Sequence, residues 1–288
     1  MNTSHISLHR PALNGLRTKH KSPSLSLLLL AWLFVVTSQI NAQTITLSSG
    51  DRQVQLVELY TSEGCSSCPP ADNWLRQYKN SEQLWQSIVP IAWHVDYWDY
   101  IGWKDLFASA ANSNRQRKLR RTGQSKSVYT PQFIVQGKEW RGFFSRAALA
   151  SQPNTRSKNR LNFQLTNNKQ QSSFTANFIA GKTASEPNIS SNPARKAGYQ
   201  LHIALLGMNI KQPIKAGENR GKTLKHDFVV LAHKRFNSKQ QKAKNLTKPG
   251  SSHWQGALPT TSKQAKAIAV WVTPINSEVP IQATGGYL

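Results

Sequence analysis

Apolar and polar positions along this chain keep two different rhythms. Residues 54–60 (Val54-Gln55-Leu56-Val57-Glu58-Leu59-Tyr60) and 88–95 are nearly continuous apolar runs, which predicts strands buried on both faces. Between them, Trp74 and Tyr78 are four apart and Leu75 and Tyr78 three apart, so residues 71–79 show one apolar helical face. Residues 106–119 read as a second helix, and Phe133-Ile134-Val135 with Trp140 as a hairpin turning at 136–138. Strand, helix, strand, helix, hairpin is an α/β order.

The second half changes period. Phe174-Thr175-Ala176-Asn177-Phe178 and Leu201-His202-Ile203-Ala204-Leu205 alternate with a period near two. Strands are expected at 161–165, 174–179, 199–206, 223–232 and 267–273, with polar loops at 182–197 and 237–253. The predicted organisation is an α/β domain over 43–150 followed by a basic, β-rich, sandwich-like domain over 151–288. The join is expected within 151–160, which holds Pro153 and no apolar periodicity.

Residues 1–42 read as an address. Arg10, Arg17, Lys19 and Lys21, with no acid, precede residues 25–36, where Ser26 alone is polar. A basic region before an apolar run of about 7–15 residues describes a secretory signal peptide, and cleavage is expected after Ala42. The run is shorter than the about 20 residues of a spanning helix. The expected location is periplasmic or secreted, an oxidising setting in which two cysteines can pair.

Charge changes the picture less than its size suggests. The chain carries 37 Lys and Arg against 13 Asp and Glu, a formal charge of +24. Residues 151–288 hold 20 of the basic and 4 of the acidic residues. These cations are scattered singly among Gln, Asn and Ser, with no nucleic-acid reading motif, and export separates the chain from genomes. No nucleic-acid partner is expected; attraction to an anionic envelope surface is. The 2 cysteines exclude a disulfide-stapled miniprotein, and the single apolar stretch excludes a multi-span membrane protein.

Those 2 cysteines carry the chemistry. Cys65-Ser66-Ser67-Cys68 follows the first buried strand and opens the first helix, with Pro69 and Pro70 at its first turn. A helix N-terminus favours a negative sulfur and lowers a thiol pKa. Cys65 is expected to be the exposed nucleophile and Cys68 the shielded, resolving thiol. Glu58, in the strand leading to the motif, is a candidate proton shuttle for Cys68. Thr130-Pro131, directly before the Phe133 strand, stands where disulfide oxidoreductases place a cis-proline. His94 and Asp96 are two apart beyond the second strand. They either line the dithiol cleft or, with Cys65 and Cys68, hold a soft metal.

The strand–CxxC–helix arrangement resembles the thioredoxin superfamily. Three blocks, 57–72, 94–105 and 128–132, with an echo at Gly217-Glu218-Asn219-Arg220-Gly221-Lys222-Thr223-Leu224, resemble the secreted bacterial family catalogued as domain of unknown function 1223. That resemblance implies a thioredoxin-like domain with a β-rich extension and brings no established substrate. The expected activity is thiol–disulfide exchange with a protein or small thiol or disulfide partner, without a cofactor. The alternatives are a metal-binding or metallochaperone module using the same cysteines, or a non-catalytic domain with a structural disulfide.

Overall fold

Strands β2 (Gln55–Thr61) and β3 (Ile88–His94) are buried at every position, because both faces of their sheet are covered. The computed structural model describes residues 43–150, 156–167, 172–181, 198–238, 251–258 and 264–288. The expected signal peptide over 1–42 lies outside the described residues, as does the whole of the expected 182–197 loop. Among the described residues no helix is long and apolar enough to cross a membrane.

Two α-helices occur among the described residues, α1 (Pro69–Arg76) and α2 (Ala110–Arg121). The parallel pair β2 and β3 is joined through α1 and continues into the hairpin β4 (Gln132–Val135) and β5 (Lys138–Trp140). Gln136 and Gly137 both have positive φ, 49° and 73°, which makes the two-residue turn that matches strand twist.

The other side of β3 overturns the expected thioredoxin-like α/β domain followed by a β-rich domain. Its edge is taken by β11 (Val229–Asn237), with Val229 opposite Ala92 and Ala92 N–H donating to Phe228 O at 2.8 Å. β8 (Tyr199–Gly207), β13 (Ala265–Pro274) and β14 (Gln282–Tyr287) follow, giving one eight-stranded sheet in the order β14-β13-β8-β11-β3-β2-β4-β5. In return, β1 (Gln43–Ser48) leaves the first half to edge a four-stranded sheet with β6 (Arg160–Asn167), β7 (Ser172–Ile179) and β12 (Ser251–Leu258). A two-stranded ribbon, β9 (Ile210–Pro213) with β10 (Thr223–His226), completes the three sheets. The protein is therefore mostly β, and its large sheet mixes both halves of the chain. The physical reason is that a fully buried strand needs neighbours on both edges, and the period of a strand does not say which strand supplies them.

The large sheet has two differently dressed faces. On the first, α1 packs Trp74 against Phe133, with ring centroids 4.9 Å apart. Farther along that face, Ile203, Leu205 and Val270 meet Phe163, Phe174 and other inward residues of the four-stranded sheet. β6 and β7 alternate buried and exposed because only their inner face is covered. On the second face, α2 lies over Trp93 and Trp271. It is capped by Ser109, whose hydroxyl accepts from Asn112 N–H. Trp93, Trp271 and Phe133 are at most 1% exposed, and each such side chain contributes about 2–3 kcal/mol on burial.

Candidate functional site

The chain leaves β2 at Thr61 and reaches α1 through Ser62-Glu63-Gly64-Cys65-Ser66-Ser67-Cys68. Cys68 is the N-cap of α1, and its carbonyl accepts from Ala71 and Asp72 N–H at 2.9 and 3.0 Å. Cys65 and Cys68 are joined in a disulfide with Cα atoms 5.4 Å apart. Because Pro69 and Pro70 have no N–H, two first-turn donors are missing. A thiolate here draws on the helix dipole more than on backbone hydrogen bonds.

The sulfurs are not presented as expected. Both cysteines are 0% exposed, so Cys65 is covered as completely as Cys68. The cover is the loop between β9 and β10. Asn219 Nδ2 donates to Glu63 O at 2.8 Å and to Cys65 O at 2.9 Å. Glu218 Oε2 accepts from Ser66 N–H at 2.9 Å, and hydrogen bonding from the Ser66 side chain first and this N–H second holds the Glu218 carboxyl below its usual range. The Gly217–Leu224 motif, some 150 positions away in sequence, is thus the roof of the disulfide.

A second wall is the 3-10 segment Asp96–Ile101. A Cβ on Gly64 would stand 3.1 Å from Trp98 Cβ and 3.2 Å from the Ile101 side chain, so a larger residue requires this wall to give by a few tenths of an ångström. Trp98 Nε1 donates to Thr130 Oγ1 at 2.7 Å, and Thr130-Pro131 is a cis peptide. Thr130 is thus linked to the cysteine loop through Trp98.

Beneath the loop lies a buried acid–histidine cluster. His94 Nδ1 stands 2.6 Å from Asp105 Oδ2, which also accepts from Glu63 N–H. Burial works against protonating His94, but Asp105, with Asp72 and Glu63 behind it, raises its pKa to about 9. Asp72 accepts from Thr61 Oγ1 at 3.1 Å, and burial pushes its carboxyl up. His226 of β10 packs edge-on to His94 at 5.0 Å, and its Nε2 is 3.2 Å from Glu63 Oε1 without hydrogen-bond alignment. Glu63 Oε2 instead accepts from Trp103 Nε1 at 2.8 Å. Among the described residues, His94 Nε2, both ring nitrogens of His226 and Glu63 Oε1 are buried without a hydrogen-bond partner. A cleft of about 220 Å³ beside the first turn of α1, lined by Asp72 and His226, leads to this cluster.

Other sequence candidates are placed elsewhere. Glu58 projects from the opposite face of the sheet to α1. There its carboxylate accepts from Trp93 Nε1 at 2.8 Å and from Arg115 Nε and Nη2 at 3.0 and 2.8 Å. Burial pushes its carboxyl up while Arg115 pulls the other way. Glu58 serves that ion pair and not the cysteines. Asp96 turns to α2, taking the Ser113 hydroxyl, so His94 and Asp96 do not converge. Among the described residues no group of three or more His, Cys, Asp or Glu side chains could hold a metal ion, and the soft-metal alternative lacks an assembled donor set.

Sequence reasoning missed Asp72, Asp105, Asn219 and His226 as one site. Asp72 and Asp105 lie within recognised blocks, but His226 sits inside an ordinary strand pattern with no local signal.

Strands from both halves of the chain, with a roofed CxxC disulfide at a helix N-cap, define a mixed-sheet disulfide protein. The chain belongs to the family described as protein of unknown function DUF1223, which matches residues 56–273. Among solved structures, HBP35 of Porphyromonas gingivalis is similar at a TM-score of 0.53 and 15% identity, over 82% of this chain and 76% of that one. A protein from Agrobacterium tumefaciens, known from an X-ray crystal structure, matches with a TM-score of 0.48 and 20% identity, over 82% and 95%. The HBP35 likeness is one of fold alone. No curated protein matches the chain.

Proposed function

We propose that this protein is an exported thiol–disulfide exchange protein acting through Cys65 and Cys68. The observation that carries the reading is the disulfide between two cysteines three apart at the N-cap of α1. In the exchange, a substrate thiolate attacks Cys65 Sγ, the Cys65–Cys68 bond breaks, and Cys68 leaves as a thiolate that takes up a proton. A second substrate thiolate then attacks the substrate sulfur of the mixed disulfide and releases the Cys65 thiolate. The substrate dithiol is oxidised by two electrons and the protein pair is reduced. The partner is a protein or small thiol or disulfide, met outside the cytoplasm near an anionic surface that the excess of basic residues favours.

The zero exposure of both sulfurs favours a second reading, a structural disulfide. Equilibration of the full chain in glutathione buffers, with thiol trapping, separates the two. Exchange requires a potential above roughly −300 mV and faster trapping of Cys65 than of Cys68 once reduced. A lower potential, or equal trapping of both, leaves the structural disulfide.

A further inference from the structure

The second face of the large sheet, away from α1 and the disulfide, carries a cleft of about 990 Å³ between α2 and strands β9 and β11. That volume is at the upper end of small-molecule sites, which span roughly 300–1,000 Å³. Part of the lining is apolar, contributed by Leu106, Phe107, Ala111 and Val230. Leu106 is 70% exposed, an unusual position for a leucine beside a cavity it could help to close.

Cations stand on the same walls. Arg115, Lys118, Arg121, Lys211 and Arg235 line the cleft with one carboxylate, Glu278. Glu278 is already shared by Arg115, Lys118 at 2.6 Å and Arg235 at 3.9 Å, and Arg115 is also paired with Glu58. Among the described residues Arg121 and Lys211 have no ion-pair partner. Five cations therefore face two carboxylates, and the surplus positive charge lies along the open rim. The histidine at the base does not add to it. His233 stacks on Trp271 at 5.3 Å and on His202, and burial first, then Arg115 and Arg235, holds the His233 imidazole well below its ordinary range.

We propose that this cleft binds a small organic anion with an apolar body. Its carboxylate, sulfonate or phosphate head would meet the rim cations, and its body would cover Leu106 and Phe107. Charge complementarity selects the head, and a lining part apolar and part cationic selects an amphiphile over a simple inorganic ion. The inference does not depend on thiol–disulfide exchange. Phe107 is the partition between the cleft and the His94 and His226 rings, at 5.4 and 6.1 Å from them.

The test is a fluorescence titration of the full chain with 1-anilinonaphthalene-8-sulfonate, beside the uncharged N-phenyl-1-naphthylamine. The expected result is saturable one-to-one binding of the sulfonate, weakened by salt. Arg121→Glu with Lys211→Glu, two exposed positions outside the ion-pair network, should weaken the sulfonate about tenfold. The neutral probe should be nearly unaffected. Ala111→Trp, on the exposed side of α2, should weaken both probes by filling the cleft, and melting temperatures check that each variant is folded. Absence of saturable binding overturns the proposal, as does unchanged sulfonate affinity in Ala111→Trp. Equal losses for both probes in the charge-reversed protein also overturn it. If that protein does not fold, the Ala111→Trp result decides alone.

Discussion

The two faces of the eight-stranded sheet bury charge in opposite ways. On the second face, Arg115 is answered by Glu58 and Glu278, and Glu278 by Lys118 as well, so every buried carboxylate has strong donors. On the first face, directly under the disulfide, His94, His226 and Glu63 keep polar atoms without partners. Saturated buried charge is what a stable core requires, since an unpaired ion in low dielectric is expensive. Buried polar atoms left open cost stability and need another explanation. Their place beside a dithiol suits a site that must accept and release protons. Among the described residues, the atoms left open on the second face are the neutral Tyr60 Oη and Trp271 Nε1, whereas under the disulfide they belong to titratable side chains, which the proposed exchange chemistry could use.

The largest effect is expected on the saturated side. Arg115→Met leaves Glu58 and Glu278 buried without their main partner and should destabilise the protein by about 3–5 kcal/mol in urea denaturation. Adding Glu58→Gln should restore part of the loss, because the neutral amide no longer needs a cation. A loss below about 1 kcal/mol, the level of an exposed pair, would erase the contrast between the faces.

The next effect lies on the open side and is read through pH. His94 is raised from 6.5 to about 9 in the folded protein, against burial, by Asp105 and its neighbours. A raised folded pKa means that the protonated ring stabilises the fold fully below the unfolded value. The contribution is lost as pH rises through the folded one. Stability should therefore fall between about pH 6.5 and about pH 9, by on the order of 3 kcal/mol. Denaturation curves across that window should flatten in His94→Gln. A slope that survives the substitution assigns the titration to another group.

How much of this was legible in the sequence depends on where the signal is stored. β2 and β3 announce themselves as apolar runs because they are buried on both faces, and β8 announces itself by alternation. β14 does not, since Gly285 and Gly286 are there for close approach to Trp85 and Leu47 and carry no periodic pattern. Residues 223–232 read as one strand, but Phe228 takes a positive φ of 63° and divides β10 from β11. The expected thioredoxin-like α/β fold followed by a β-rich one failed at β11, whose pairing with β3 is set by edge satisfaction and not by its own residues. The cysteine pair was readable from its spacing. Asn219 lies in a motif the sequence displays, but its place beside the cysteines, like that of His226, follows only from the ribbon β9–β10.

The roof offers a smaller and more local comparison. Asn219→Ala removes the donor shared by Glu63 O and Cys65 O, and leaving buried carbonyls unpaired costs about 1–3 kcal/mol. Reduction of the disulfide by a water-soluble phosphine should accelerate about tenfold, the kinetic equivalent of about 1.4 kcal/mol spent on opening the loop. An unchanged rate would mean that the roof is not what limits access to the sulfurs.

The smallest effect belongs to the exposed half of the same roof. Glu218 reaches Ser66 from solvent, and hydrogen bonding from the Ser66 side chain first and its N–H second holds the carboxyl below the usual range. A depressed folded pKa gives a contribution present above the unfolded value and lost as pH falls through the folded one. Phosphine reacts in mild acid, so the reduction rate can be followed from about pH 6 to about pH 3, across the carboxylate range. The natural protein should show a modest extra acceleration toward the acid end as Glu218 takes up its proton and releases Ser66. Glu218→Gln, which keeps a neutral acceptor at the same place, should be slightly faster at pH 6 and lack the acid-dependent step. If both proteins share that step, the titrating group is beneath the disulfide, where burial raises Asp72, and the roof is held by Asn219 alone.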